Sequence, residues 1–179
     1  RKAYSGMTEV AVAEAESERQ LSILNEIARI ALQDLDLQPM LQRITDALAR
    51  KFDWEFVALV RVDSEKGRFV CEALSTSRET EVHVGYSREL GSGVVGEVAA
   101  TGEAILLDDV RDYRNYVETL PGAMSEVCVP VKHRDRVVAL LNLESTRRDA
   151  FRGQLELLET VADQVSGAIA SARLLAELE

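Results

Sequence analysis

The sequence predicts an α+β domain, one antiparallel sheet with long helices stacked on one of its faces. Three observations predict it. Apolar residues recur at helical 3–4 spacing at both ends of the chain, short β-branched runs occupy the middle, and turn signals such as Lys66-Gly67 join neighbouring runs directly, as in hairpins.

Residues 8–34 read as the first helix. Leu21, Leu24, Ala28 and Ala31 follow the spacing of a coiled-coil seam, with Glu14, Glu16, Glu18 and Arg19 outside it. A second helix is expected over 37–52, with Pro39 in its first turn and Met40, Leu41, Ile44, Leu48 and Phe52 as its buried stripe. The pattern then changes to strands at 54–62, 68–75 and 81–86. In the last of these, Val82, Val84 and Tyr86 alternate with Glu81, His83 and Gly85. Gly91-Ser92-Gly93 opens a short helix over 94–101, and Gly102 closes it. A short strand at 104–107 leads to a polar loop, 111–124, with room for one helical turn. Two more strands, 125–132 and 137–144, flank the charged segment His133-Arg134-Asp135-Arg136. The last helix, 152–178, carries one stripe through Leu155, Leu158, Ala162, Val165, Ile169 and Ala172. A second stripe runs through Val161, Ala168 and Leu175, so this helix is expected to pack on the sheet and on another helix. The short helix and the long loop are left to cover the opposite sheet face, where a cavity is expected.

Composition excludes several classes. Acidic residues outnumber basic ones 31 to 21 and the net charge is −10, which argues against phosphate-neutralising partners such as DNA or RNA. No run approaches the roughly 18 apolar residues of a membrane span, and no secretory leader stands at the N-terminus. Cys71 and Cys128 are isolated in apolar runs, the pattern of buried thiols in a reducing cytoplasm and of neither a zinc site nor a disulfide framework. Arg1 at the start and a helical pattern at Glu179 suggest a piece of a longer protein, with residues 1–6 an artificial leader before Met7.

The run Gly93-Val94-Val95-Gly96-Glu97-Val98-Ala99-Ala100-Thr101-Gly102, followed by Ala104-Ile105 and Asp108-Asp109-Val110, resembles the central signature of the GAF family. Ser125-Glu126-Val127-Cys128-Val129-Pro130-Val131, the apolar strand 137–145, and Phe151 with the final helix continue the resemblance. It implies a GAF-like antiparallel sheet over residues 21–174, preceded by a helical extension (1–20) and followed by the start of a C-terminal signalling helix (175–179). Members of the family bind cyclic nucleotides, bilins, haem, amino acids or oxo-acids, or nothing. The Asn-Lys…Phe…Asp-Glu pattern of the cyclic-nucleotide branch is absent, and neither cysteine has the adjacent histidine of the bilin branch. The free methionine-sulfoxide reductases need thiols in the loop between the short helix and the next long strand, and residues 103–124 contain no cysteine. Glu126 and Glu144 match two acids of that branch, and Asn142 stands where a third acid would be. The expectation is therefore a domain that is not an enzyme.

The candidate ligand residues are Tyr113, Tyr116, Glu126 and Glu144. The tyrosines lie in the covering loop, where phenol rings either stack on a planar ligand or anchor the loop itself. Glu126 reads either as a carboxylate at a pocket mouth that receives an amine or ring N–H, or as a solvated strand end; Glu144 is the weaker of the two acids. His83 and His133 are the two histidines and give no metal pattern; no cofactor, metal or catalytic residue is expected. The sequence thus suggests a cytoplasmic, bacterial-style sensor that binds a small molecule, with a cyclic nucleotide among the candidates. It would dimerise through its terminal helices and control a fused diguanylate cyclase or histidine kinase. The alternatives are a methionine-sulfoxide reductase and a ligand-free dimerisation module, the latter with its pocket filled by residues such as Trp54, Phe56, Phe69 or Tyr86.

Overall fold

A computed structural model describes the backbone of residues 2–33 and 36–178 and the side chains of 8–33 and 36–174. The expected helix end at Asp34, the Leu175 side chain and Glu179 lie outside the described residues, as do the side chains of residues 1–6.

Helices α1 (Lys2–Ala31) and α2 (Leu37–Phe52) form an antiparallel pair. Lys51 donates to Ser22 (2.8 Å), and Arg50 pairs with Glu26. Asp53 in the left-handed region (φ 53°) ends α2, its amide bonded to the Ala49 carbonyl, and turns the chain into the sheet. Strands β1 (Phe56–Asp63), β2 (Arg68–Thr76), β3 (Ser87–Glu89), β4 (Ile105–Leu107), β5 (Ser125–His133) and β6 (Arg136–Ser145) form one antiparallel sheet in the order β3-β2-β1-β6-β5-β4. Between β3 and β4 lies α3 (Gly93–Thr101), closed by Gly102 at φ 70°. Helix α4 (Leu155–Leu178) ends the described chain.

The two sheet faces bury different partners. Helices α1, α2 and α4 cover Val57, Leu59, Ala73, Val127, Val129, Leu141 and Leu143. Helix α3 and the loop 108–124 cover Phe56, Ala58, Val60, Phe69, Cys71, Cys128 and Leu140. Residues 71 and 73 would share a face in a regular strand. The register shift that pairs Leu59 with Ala73 and Val60 with Cys71 bulges Glu72 outward, so Ala73 faces the helices while Cys71 and Phe69 face the loop.

One expectation needs correction. The third strand is not at 81–86 but at Ser87–Glu89. Gly85 takes φ +96°, the Tyr86 amide turns back to the His83 carbonyl, and Val84 is exposed while Val82 is buried, so the sequence alternation is not a strand face. In α1 the face buried in the domain is Ile23, Ile27 and Ile30; Leu21 of the expected seam is 62% exposed and Ala28 is also exposed. In α4 both stripes, from Leu158 to Ile169 and at Val161 and Ala168, are buried against the sheet and the other helices, the double packing expected of it. The other strands, helices and turns lie where the sequence puts them, within a residue or a few at their ends, except that α1 begins at Lys2, six residues before the expected start.

Gly96 fixes how α3 meets the turn before it. An added Cβ would lie 2.7 Å from the Gly91 nitrogen and 2.9 Å from its carbonyl carbon, both backbone atoms. Alanine favours a helix interior by about 1 kcal/mol over glycine, but here the clash wins. Gly96→Ala is expected to cost about 1–3 kcal/mol and to lower the thermal midpoint by several degrees; an unchanged or higher midpoint would contradict this packing.

Candidate functional site

The loop-covered face of the sheet holds the polar residues that a packed core normally excludes. β5 and β6 pair so that Glu126 stands opposite Glu144 and Cys128 opposite Asn142. Because side chains alternate along a strand, this register sends both acids and the amide to the same side. Glu126 is 3% exposed, Asn142 3% and Glu144 0%, so the solvated strand end considered for Glu126 is not what the fold builds.

Glu144 is the better satisfied acid. The Thr119 hydroxyl donates to Oε1, the Leu120 amide donates to Oε2 (3.0 Å), and Asn142 Nδ2 lies 3.4 Å from Oε1. Glu126 has Asn142 as its hydrogen-bonding neighbour and Arg88 as its favourable charge. Burial pushes both carboxyls above their ordinary range. The nearby Glu144 raises Glu126 further, and the donors from Thr119 and Leu120 partly restrain Glu144.

Tyr113 and Tyr116 arrive above the acids on the loop that follows the short 3-10 turn Val110–Asp112. The Tyr113 hydroxyl donates to Glu97 on α3, and burial with that bond pushes its ionisation up to about 12. The Tyr116 hydroxyl is buried without a partner, and burial with the charges of Glu144 and Glu126 raises it further. The Thr80 hydroxyl donates to the Thr119 carbonyl (2.6 Å), and Asn115 donates to the Gly91 carbonyl (3.2 Å), so the loop is tied down at both ends.

All four sequence candidates therefore converge on one face. Sequence reasoning placed Asn142 only as a missing acid and overlooked Thr119, Arg88 and Glu97. Their roles depend on where the loop and β3 lie, and no local pattern marks that. Asn142 Oδ1 is buried and unpartnered beside the acids. It lines a cavity of about 30 Å³ together with Phe56, Phe69, Tyr86, Arg88 and Thr119, room for one or two waters. Trp54 instead stacks on Phe52 at 4.4 Å, on the helical side. His83 is exposed, and among the described residues no three of His, Cys, Asp and Glu are grouped to hold a metal. Both thiols are buried and free. Burial pushes Cys71 up to about 11, and burial with the two acids pushes Cys128 higher.

A sequence profile of the GAF domain matches residues 34–170. The fold resembles the free methionine-R-sulfoxide reductase of Neisseria meningitidis, solved in complex with its substrate: TM-score 0.79 at 19% identity, covering 87% of this chain and 91% of that one. It also resembles the GAF domain of an Acinetobacter phosphoenolpyruvate-protein phosphotransferase: TM-score 0.75 at 23% identity, over 88% and 97%. Among curated proteins, Protein ZMO0507 of Zymomonas mobilis is 37% identical over 62 residues, 34% of this chain; the match spans 38% of that protein's length. No helix among the described residues is long and apolar enough to cross a membrane.

The raised carboxyls fix a pH dependence. In the folded state Glu126 keeps its proton at a pH where the unfolded chain has lost it, so the unfolded state binds fewer protons and stability falls as the pH rises through the folded value. Denaturant unfolding from about pH 5 to about pH 8 is expected to show this decline, and a smaller one for Glu126→Gln. Equal declines in the two proteins would show that Glu126 is ionised in the fold.

Proposed function

The chain belongs to the GAF family, and from that premise we propose that it is a regulatory sensor domain whose ligand presents a proton-donating group, an ammonium or a ring N–H, to Glu126 and Glu144. The observation that carries this reading is a buried cluster rich in acceptors: two carboxyls in register, with the unpartnered Asn142 Oδ1 between them and the cavity. A buried acceptor without a donor is costly, and a donor-bearing ligand relieves that cost. A cyclic phosphate brings further acceptors and no donor for the unpartnered Asn142 Oδ1. An amine-bearing metabolite such as an amino acid therefore fits better than a cyclic nucleotide. The Thr119 hydroxyl and the Leu120 amide, now on Glu144, are the donors such a ligand would displace or join, and the small cavity implies that residues 118–120 move to admit it.

Enzymatic reduction of a sulfoxide is the competing reading, favoured by the acid pair and the resemblance to the Neisseria enzyme. It requires a thiolate within reach of the substrate. Here residues 103–124 hold no cysteine, and Cys128, although beside the acids, is held as a thiol by burial and by their charge. We therefore read the domain as non-catalytic.

The helices support a role in transmission. Gln154 reaches Glu16 (3.3 Å) and Gln164 reaches the Leu24 carbonyl (3.2 Å), so α1 and α4 run in the same direction. Residues 8–15 of α1 are all exposed, as is Leu174 of α4, so the two helices extend from opposite ends of the domain. The outward stripe around Leu21 is the surface through which we propose that two copies pair. In a longer protein, α4 would lead to the output domain, for which a diguanylate cyclase or a histidine kinase is the family's analogy.

Two measurements test this reading. Thermal unfolding against amino acids, 2-oxoglutarate, cAMP, cGMP and cyclic di-GMP is expected to show a dose-dependent rise with an amine-bearing compound. The stabilisation should reach roughly 2.7 kcal/mol at 100 times the dissociation constant, and Glu144→Gln should abolish it. No shift with any compound would favour a ligand-free dimerisation module. Sedimentation is expected to give twice the 19.8 kDa chain mass for the parent protein and the monomer mass for Leu21→Glu, an exposed position that can change without unfolding the domain. A monomeric parent would remove the pairing surface from the proposal.

A further inference from the structure

The opposite end of β5 and β6 carries positive charge that the chain does not neutralise. The net charge is −10, and many guanidiniums are already engaged: Arg61 with Glu72 and Asp63, Arg111 and Arg148 with Asp109, Arg152 with Asp108 and Asp149. Lys132 on β5, Arg136 on β6 and Arg173 on α4 are among the cations left outside such pairs, and what sets them apart is that they meet. They line one cleft of about 580 Å³, and among the described residues none of them has a carboxylate within salt-bridge distance. Asp135 is the one acid in the cleft wall. Eight residues of β6 separate Arg136 from Glu144, roughly 26 Å at a strand's rise, so this is a different place from the carboxyl pair.

Two further features mark it. The β5–β6 turn consists of Arg134 and Asp135, both in the left-handed region at φ 48° and 63°, where a two-residue hairpin ordinarily places Asn-Gly. The turn thus carries charged side chains at a conformational cost. The cleft floor is apolar, with Val62, Leu90 and Val137, so cationic groups stand beside a hydrophobic surface.

We propose that this cleft is a second ligand site, and that it takes an organic polyphosphate such as a nucleoside di- or triphosphate. Lysine and arginine side chains from three elements meet the phosphates, and the apolar floor meets the organic part. The volume is that of a small-molecule site. An occupant would tie Arg173 of α4 to the β5–β6 hairpin, bracing the helix that leaves the domain. This inference is independent of the reading of Glu126 and Glu144.

The test is calorimetric titration of the whole chain with magnesium-free ATP at physiological salt. A second titration uses Arg136→Gln/Arg173→Gln, and a third a charge-matched control, Arg29→Gln/Arg78→Gln, at exposed positions away from the cleft. Saturable one-to-one binding is expected, weakened about tenfold or more in the cleft variant, as the loss of charge-assisted contacts predicts, and unchanged in the control. Matching thermal unfolding curves would show that all three proteins are folded. No saturable binding, or equal weakening in both variants, would overturn the site and show the cations to be a diffuse surface charge.

Discussion

A one-residue slip of β6 against β5 would turn Asn142 and Glu144 into the layer of α1, α2 and α4, away from Glu126 and from the Thr119 and Leu120 donors. The register of this pair is the constraint on which the site depends. It is held by the hydrophobic alternation on the other face, since Val127, Val129, Val131, Leu141 and Leu143 must all meet the helices at once. Burying each such side chain is worth about 1.5–3 kcal/mol, and together they outweigh the cost of two desolvated carboxyls. The helical face, by its bulk, keeps the acids on the other face.

That other face is built differently. Three helices close one side with large aliphatic side chains, whereas a nine-residue helix and a loop close the opposite side. The loop is joined to the sheet by polar contacts, Thr119 and Leu120 on Glu144, and by the buried side chains of Leu120 and Ala123, while Thr80 on Thr119 and Tyr113 on Glu97 tie it to its neighbours. Polar contacts of this kind contribute about 1 kcal/mol each and exchange readily for contacts to a ligand. In the helical layer α1 runs in the same direction as α4 and packs on it and on α2, while α4 lies on β5 and β6.

Charge follows the same division. The acids of the cavity are sequestered and raised, so they add little negative charge when protonated, while the exposed α1 extension carries its acids in water. Among the described residues, three cations outside any ion pair, Lys132, Arg136 and Arg173, meet at the far end of β5 and β6. The two ends of this strand pair thus offer opposite chemistries on one rigid hairpin.

Fold class, the order of helices and strands and the family resemblance were legible in the sequence alone, as were four residues, Tyr113, Tyr116, Glu126 and Glu144, that the fold brings to the loop-covered face of the sheet. These are legible because helical and strand periodicities are local, and because glycine turns such as Gly91-Ser92-Gly93 declare themselves within a few residues. It misplaced the third strand, where Gly85 and a turn at His83 defeat an alternation that looks regular. It did not mark Ile23, Ile27 and Ile30 as the face of α1 buried in the domain, since Leu21 and Ile23 are equally apolar and only the packed tertiary structure decides which one is buried. The burial of Glu126, the donors on Glu144, the unpartnered Asn142 and the meeting of Lys132, Arg136 and Arg173 were decided by tertiary structure alone. The physical reason is that each depends on groups distant in sequence arriving at one point, and neither spacing nor composition records that distance.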